Sequence, residues 1–300
     1  MKFVDPKNDV AFKKIFGNEE KKEILISFLN AVLDLQGEKE IYDIEILPPA
    51  QLPPIQYLKL SILDVRAKDK RGVTFIVEMQ IAKLAGDKKR FQYYAAKTFV
   101  AQIERGENYP VLNITVLDYN TFDDEEDKEF YFSRHLFVNE RTKKQQFKGL
   151  EFYFIELPKF TKNESELTGI LDKWVYFIKH ASNLDVVPES ADTEALKAAY
   201  EVANRFSWSR DELEVYDYWG MKAQDERGKV QAALEEGLEQ GIEKGIEKGR
   251  QGAQQKIVRS MLAKGLEPAA IAELTGISVE EITAFTWAAN SASSRQVAGN

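Results

Sequence analysis

Two carboxylates sit inside apolar runs on either side of one short turn, and no other feature of the chain restricts its fold so strongly. Ser61-Ile62-Leu63 leads into Asp64, and Phe75-Ile76-Val77 leads into Glu78. Between them Lys70-Arg71-Gly72 has the residues of a turn, so residues 57–68 and Val73 to Ile81 read as the strands of a hairpin. With the loop centred on Arg71, both acids lie seven residues from the centre and face each other. One residue more or less in the loop would shift that register. Glu78 and Gln80 share a face, because side chains alternate along a strand. Burying an acid among apolar neighbours is costly, and like charges opposed across a ladder are unfavourable too. A divalent cation that prefers hard oxygen ligands, Mg2+ or Mn2+, removes both penalties. The plainer alternative leaves one or both acids on a solvated strand face.

The segments around this hairpin give an order of elements. Val10, Phe12, Ile15 and Phe16, then Ile24, Phe28, Leu29 and Val32, have helical spacing interrupted near Gly17-Asn18. Ile41 to Ile46 alternates as a short strand and ends in a loop containing Pro48-Pro49 and Pro53-Pro54. Residues 88–104 lack Gly and Pro and read as a helix ended by Gly106. Val111 to Leu117 is an apolar strand, with further strands at Phe130 to Val138 and Leu150 to Leu157. From about residue 164 the pattern turns helical. The resulting order is αβββαβ with added strands and a helical C-terminal extension, an α/β class.

Composition narrows the chemistry. The 300 residues contain no Cys, which excludes a disulfide framework, a thiol nucleophile and a Cys-based zinc site. With His135 and His180 as the only histidines, a His-rich metal centre is not expected either, and both are expected in structural or surface roles. The opening Met1-Lys2-Phe3-Val4-Asp5-Pro6 lacks a signal peptide's apolar run, and no later stretch resembles a membrane span. A soluble, cytoplasmic protein without a membrane partner is expected. Net charge is −8, yet residues 1–110 hold 18 Lys/Arg against 16 Asp/Glu, so the deficit lies wholly in the remainder. A mildly basic first third permits a local phosphate-binding surface.

The arrangement resembles the PD-(D/E)XK nuclease superfamily, in which an Asp on one central strand and Glu-x-Lys on the next bind metal and position water. More closely it resembles the Rpn family of recombination-promoting nucleases, or putative transposases, in which Gln stands in place of the Lys. Carrying the resemblance are residues Asp5 to Phe16, Ser61 to Arg66, Val77-Glu78-Met79-Gln80, the helix Arg90 to Lys97 and the downstream Gln102. It covers roughly residues 1–215. It implies a PD-(D/E)XK-like αβββαβ core with a mixed central sheet and metal-assisted hydrolysis of DNA. Asp64 and Glu78 would hold Mg2+ or Mn2+ with help from the Met79 carbonyl, and Asp64, Glu78 and Gln80 would form the catalytic cluster. A neutral amide cannot supply the charge of a Lys, so Lys97 or Arg66 becomes a candidate for it.

Other residues take supporting roles in this reading. Arg90, Tyr94, Thr98 and Gln102 recur every four residues and share a helix face, which by resemblance borders the site. Asp9 opens the first helical pattern, where an acid caps or meets the dipole; it could also lean into the site. Lys68, Lys70, Arg71, Lys83, Lys88, Lys89 and Arg90 cluster in sequence, and Lys68, Arg71, Lys88 and Arg90 are the candidates for holding DNA phosphates. Asp123-Asp124-Glu125-Glu126-Asp127 lacks EF-hand spacing and reads as a solvated loop.

The last quarter has a different grain. Gly237, Gly241, Gly245 and Gly249 recur every four residues, with Glu239, Glu243 and Glu247 in a column beside them. Interior Gly costs a helix about 1 kcal/mol each. The segment is therefore either a helix that packs closely on another, such as a second copy in a homodimer, or a flexible tether. Residues 256–287 resemble a small helix-turn-helix, with helices at 268–275 and 279–287. The second begins Val279-Glu280-Glu281, acids that repel phosphate, which favours an interaction module over a DNA reader. The expected divisions are a core over 1–160, a helical extension packed on it over 161–225, the Gly-repeat over 226–255, the helical module over 256–290 and a disordered tail over 291–300.

Overall fold

A computed structural model of the chain describes residues 3–48, 50, 51, 61, 62, 64–103, 106 and 109–284. The Pro-rich loop beyond Pro48, the start of the expected strand over 57–68, the end of the 279–287 helix and the 291–300 tail lie wholly or mainly outside these residues. Two compact units divide between Val230 and Gln231.

The first unit opens with helices α1 (Asp9–Phe16) and α2 (Lys22–Leu33), followed by strand β1 (Ile44–Leu47) and the short pair β2 (Ala50–Gln51) and β3 (Ser61–Ile62). The hairpin follows as β4 (Val65–Asp69) and β5 (Thr74–Gln80), then helix α3 (Asp87–Ile103) and strands β6 (Val111–Leu117), β7 (Phe132–Phe137) and β8 (Phe147–Glu156). Helices α4 (Ile170–His180), α5 (Glu194–Ala203) and α6 (Arg210–Ala263) come next. Six strands form one mixed sheet in the order β1-β4-β5-β6-β8-β7. β5, β6 and β8 run parallel, and the remaining pairs are antiparallel. This is the expected α/β architecture with a mixed central sheet.

Strand alternation gives each side of the sheet its own core. Val65, Ala67, Phe75, Val77, Met79, Ile114 and Val116 point to one side, where α1, α2, α4 and α5 bury Phe12, Phe16, Phe28, Trp174 and Leu196. Aromatic edges meet there, with Phe16 5.0 Å from Phe28 and Trp174 6.0 Å from Phe28. Ile76, Val111, Leu117, Phe152 and Phe154 point to the other side, beneath Phe91 and Ala95 of α3. The helices after residue 164 thus share a core with α1 and α2.

The turn of the hairpin is built by Asp69 and Gly72. Asp69 Oδ1 accepts from the backbone of Arg71 (2.9 Å) and Val73 (3.0 Å), while Oδ2 accepts from Arg71 Nε (2.8 Å). Gly72 has φ +86°, and a Cβ there would come within 2.5–2.6 Å of the Tyr109 ring, so only glycine fits. A second polar node ties β7 to the later helices. Asp172, 4% exposed, accepts from Tyr131 OH (2.6 Å), Lys162 (2.7 Å) and both the amide and hydroxyl of Thr168 (3.0 Å each).

In the second unit α6 stays helical through the Gly repeat, and among the described residues nothing beyond the helix's own backbone lies within 4 Å of a Cβ placed on any Gly of that repeat. At the end of the acidic column Glu247 accepts from Arg250 (3.1 Å) and Gln251 (2.7 Å). Val258, Ile271 and Ile282 form a small core from the end of α6, α7 (Pro268–Thr275) and the helical residues 279–284. Glu281 and Ser278 cap one another reciprocally, which gives that acid a structural reason. No described helix is long and apolar enough to cross a membrane.

Candidate active site

The ladder of β4 and β5 pairs Val65 with Val77, and one further step sets Asp64 opposite Glu78, the register read from the loop. Asp64 lies just before β4 and is anchored by the Met79 N–H, which donates to Oδ2 at 2.8 Å. Glu78 lies within β5, 2% exposed, with Thr115 of β6 beside it. Its Oε2 is buried with no hydrogen-bond partner among the described residues. Burial raises the pKa of Glu78 to about 8, and the Asp64 charge adds to the effect against the pull of Arg90. Burial likewise raises Asp64 to about 6, opposed by the Met79 N–H and Lys13 and reinforced by Asp9. Two acids held together in a dry place resist ionisation.

The charge that balances them comes from elements distant in sequence. Lys13 of α1 lies 3.5 Å from Asp64 Oδ1 and 2.7 Å from Asp9 Oδ1. Burial works against its charge, but hydrogen bonds and attraction from Asp9 and Asp64 hold its pKa above the ordinary value. Asp9 does not cap the helix. Asn8 does, accepting from Val10 N at 3.0 Å, which releases Asp9 to lean toward Asp64. Spacing of four residues on one helix could have revealed the Asp9–Lys13 pair; its meeting with Asp64 could not be read locally.

Arg90 is the second cation. Its guanidinium donates to Gln80 Oε1 and pairs with Asp87 at 3.2 Å, so it is held within the site rather than projecting toward a DNA backbone. Asp87 is buried and accepts from Tyr119 OH (2.5 Å) and Leu84 N (2.8 Å). The helix face of Arg90, Tyr94, Thr98 and Gln102 does lie along β5, but α3 runs back toward the start of the strand. Only its beginning borders the acids. Gln102 is buried against Thr74 (3.3 Å), four residues before Glu78 and roughly 13 Å away along the strand. It stands outside the site.

The other sequence candidates also disperse. Lys68 pairs in register with Thr74 and lies over Tyr109 (5.2 Å), and Arg71 serves the Asp69 turn. Both therefore sit at the hairpin end away from the acids. Arg66 reaches the Pro48 carbonyl (2.9 Å). Lys88 covers the Phe122 ring at 4.8 Å. Lys97 is partly exposed, two turns beyond Arg90, and burial lowers its pKa. Sequence proximity gathered these bases; an extended hairpin separates them.

The donor set fits a hard cation. Two carboxylates, one with an unpartnered oxygen, meet the preference of Mg2+ or Mn2+ for oxygen ligands, and the Met79 carbonyl is adjacent in the chain. Among the described residues no three His, Cys, Asp or Glu side chains gather as a metal site, so an ion here would keep several waters, as Mg2+ does. A hollow of about 190 Å³ opens beside the pair, walled by Lys7, Asp9, Asp64, Gln80, Trp219 and Lys222 among others. Sequence reasoning passed over Lys7, Lys13, Trp219 and Lys222.

A family model described as PD-(D/E)XK nuclease family transposase matches residues 6–233, which include the whole sheet, both acids and the start of α6. Curated proteins and solved structures give no match. With three quarters of its length matched, the chain belongs to the PD-(D/E)XK nuclease family transposases.

Proposed function

We propose that the chain is a DNA endonuclease dependent on Mg2+ or Mn2+, acting in recombination or the movement of mobile elements. The observation that carries this reading is the buried, unpartnered Glu78 Oε2 on an acid set opposite Asp64. Asp64, Glu78 and the Met79 carbonyl would hold the ion. A bound ion of this kind polarises the scissile phosphate and lowers the pKa of a water.

The remaining tasks fall to the chain itself. Gln80 gives its amide oxygen to Arg90, which leaves its NH2 group to donate to a phosphate oxygen or to hold the attacking water. Arg90 behind Gln80 and Lys13 beside Asp64 supply the positive charge that the amide lacks. Asp87 and Tyr119 keep Arg90 in place.

The test is cleavage of supercoiled plasmid with Mg2+ or Mn2+ by the parent, Asp64→Ala and Glu78→Ala. Cleavage by the parent and its loss by roughly 100-fold or more in both variants is expected. Equal nicking by all three would discredit the acids. Binding of DNA without cleavage would favour a catalytically weak module on a nuclease fold.

Self-association through the Gly-repeat helix belongs to the same reading. Leu234, Leu238, Ile242 and Ile246 are 54–68% exposed and, with Gly237, Gly241 and Gly245, line one slowly turning stripe at i, i+3, i+4 spacing. Light scattering of the full chain is expected to give a dimer mass that Ile242→Glu reduces to a monomer. A monomeric parent at tens of micromolar would sink this part.

A further inference from the structure

The hollow beside the acid pair has one wall that neither the metal nor the phosphate explains. Trp219 and Lys222, from the first turns of α6, face it together with Lys7, Asp64 and Gln80. The wall is anchored at several points. Asn8 Nδ2 donates to the Tyr216 carbonyl (3.1 Å), and the Asp5 N–H donates to Tyr216 OH (2.9 Å). Lys14 pairs with Glu212. Arg227 binds Asp118 and the Ile81 carbonyl, just past β5. An indole held by contacts on both sides of it in the chain occupies a built position. Lys222 Nζ lies 4.5 Å from the centre of that ring.

We propose that this hollow takes one nucleobase, stacked on Trp219, of the strand whose phosphate reaches Asp64 and Glu78. The substrate class is therefore DNA with an unstacked nucleotide: single-stranded, bulged or bubble DNA ahead of closed duplex. Three observations lead there. The hollow, about 190 Å³, has room for a heterocycle. Asp64, which would help to hold the ion, lines the same hollow as Trp219, so a base on that wall belongs to the strand whose phosphate meets the acid. The wall pairs a π face with ammonium groups of Lys7 and Lys222, the combination that binds single strands by stacking and charge. A stacked base is worth roughly 5- to 150-fold in affinity.

The consequence for cleavage rests on the nuclease reading, whereas binding does not, and the experiment separates them. Full-length protein in EDTA is titrated with a labelled 12-nucleotide single strand and with a blunt hairpin duplex of the same sequence. The parent should bind the single strand about 10-fold more tightly than the duplex. Trp219→Ala should lose most of that preference, with duplex binding unchanged, and Trp219→Phe should keep most of it. Quenching of tryptophan emission by the single strand should vanish in Trp219→Phe. Equal affinity of the parent for both DNAs, or an unaltered preference in Trp219→Ala, overturns the base site. A preference that survives while no DNA is cut with Mg2+ or Mn2+ supports the base site and rejects the nuclease. Equal cleavage of duplex and bubble by the parent and Trp219→Ala does the reverse.

Discussion

Replacing Glu78 with Gln is expected to lower DNA cleavage by roughly 1000-fold and, in EDTA, to raise the melting temperature. These opposite signs follow from one cause. The Glu78 carboxyl is buried, faces a like-charged partner and has an oxygen with nothing to bond, so the folded, metal-free protein carries an unfavourable site. At neutral pH the fold must hold this acid mostly protonated, and an isosteric amide removes that cost. Arg90 already offsets part of the penalty, so the gain is about 1–3 kcal/mol, or roughly 2–12 °C for a unit of this size. Adding 10 mM Mg2+ should stabilise the parent and leave Glu78→Gln almost unmoved, because only the parent binds the ion in its folded state. Melting curves with and without Mg2+ decide the matter. A variant that melts below the parent in EDTA would make Glu78 a structural acid and remove the basis for the metal site.

Asp172 carries the opposite sign. Burial alone would raise its pKa, but bonds from Lys162, Tyr131 and Thr168 overcome that and hold it at about 2, below the ordinary 3.8. A depressed carboxylate contributes stability above its unfolded pKa and loses it as pH falls through the folded value. The shift corresponds to about 2.4 kcal/mol at neutral pH, of which about half is gone by pH 3. Asp172→Ala also strands the Tyr131 hydroxyl and the Thr168 amide, for a total of about 3 kcal/mol and roughly 6–12 °C at pH 7. Urea unfolding at pH 7 and pH 3.5 measures both effects. The gap between parent and variant should narrow in acid; a constant gap would mean that the ionised form of Asp172 does not hold this corner.

Local patterns went far with the fold because its signals are local. Val111–Leu117 and Pro268–Thr275 are the limits read from apolar runs and turn residues. The acid register followed from centring the loop on Arg71, a choice that the ladder bears out and that a loop one residue longer or shorter would have upset. What escaped was the placement of charge. Seven bases close in sequence suggested one surface, yet strand rise carries Lys68 and Arg71 to the far end of the hairpin while Lys13 arrives from a helix fifty residues earlier. Asp9 misled for a related reason, since Asn8 is an equally good cap and only packing shows which residue is free. Gln102 shared a helix face with Arg90, but a face 17 residues long passes beyond any single site. Trp219 gave no sign at all, as the contacts that position its helix join residues more than two hundred apart.

Gly72 under the Tyr109 ring governs more than a bend. Every rung of the ladder from Lys68–Thr74 to Asp64–Glu78 inherits its alignment from that corner, as the teeth of a zip inherit theirs from the stop. Slipping by one position would turn Glu78 into the apolar layer and bring Met79 round in its place. The chemistry of the acid pair is thus underwritten at a distance, by a ring and a missing side chain that never approach the substrate.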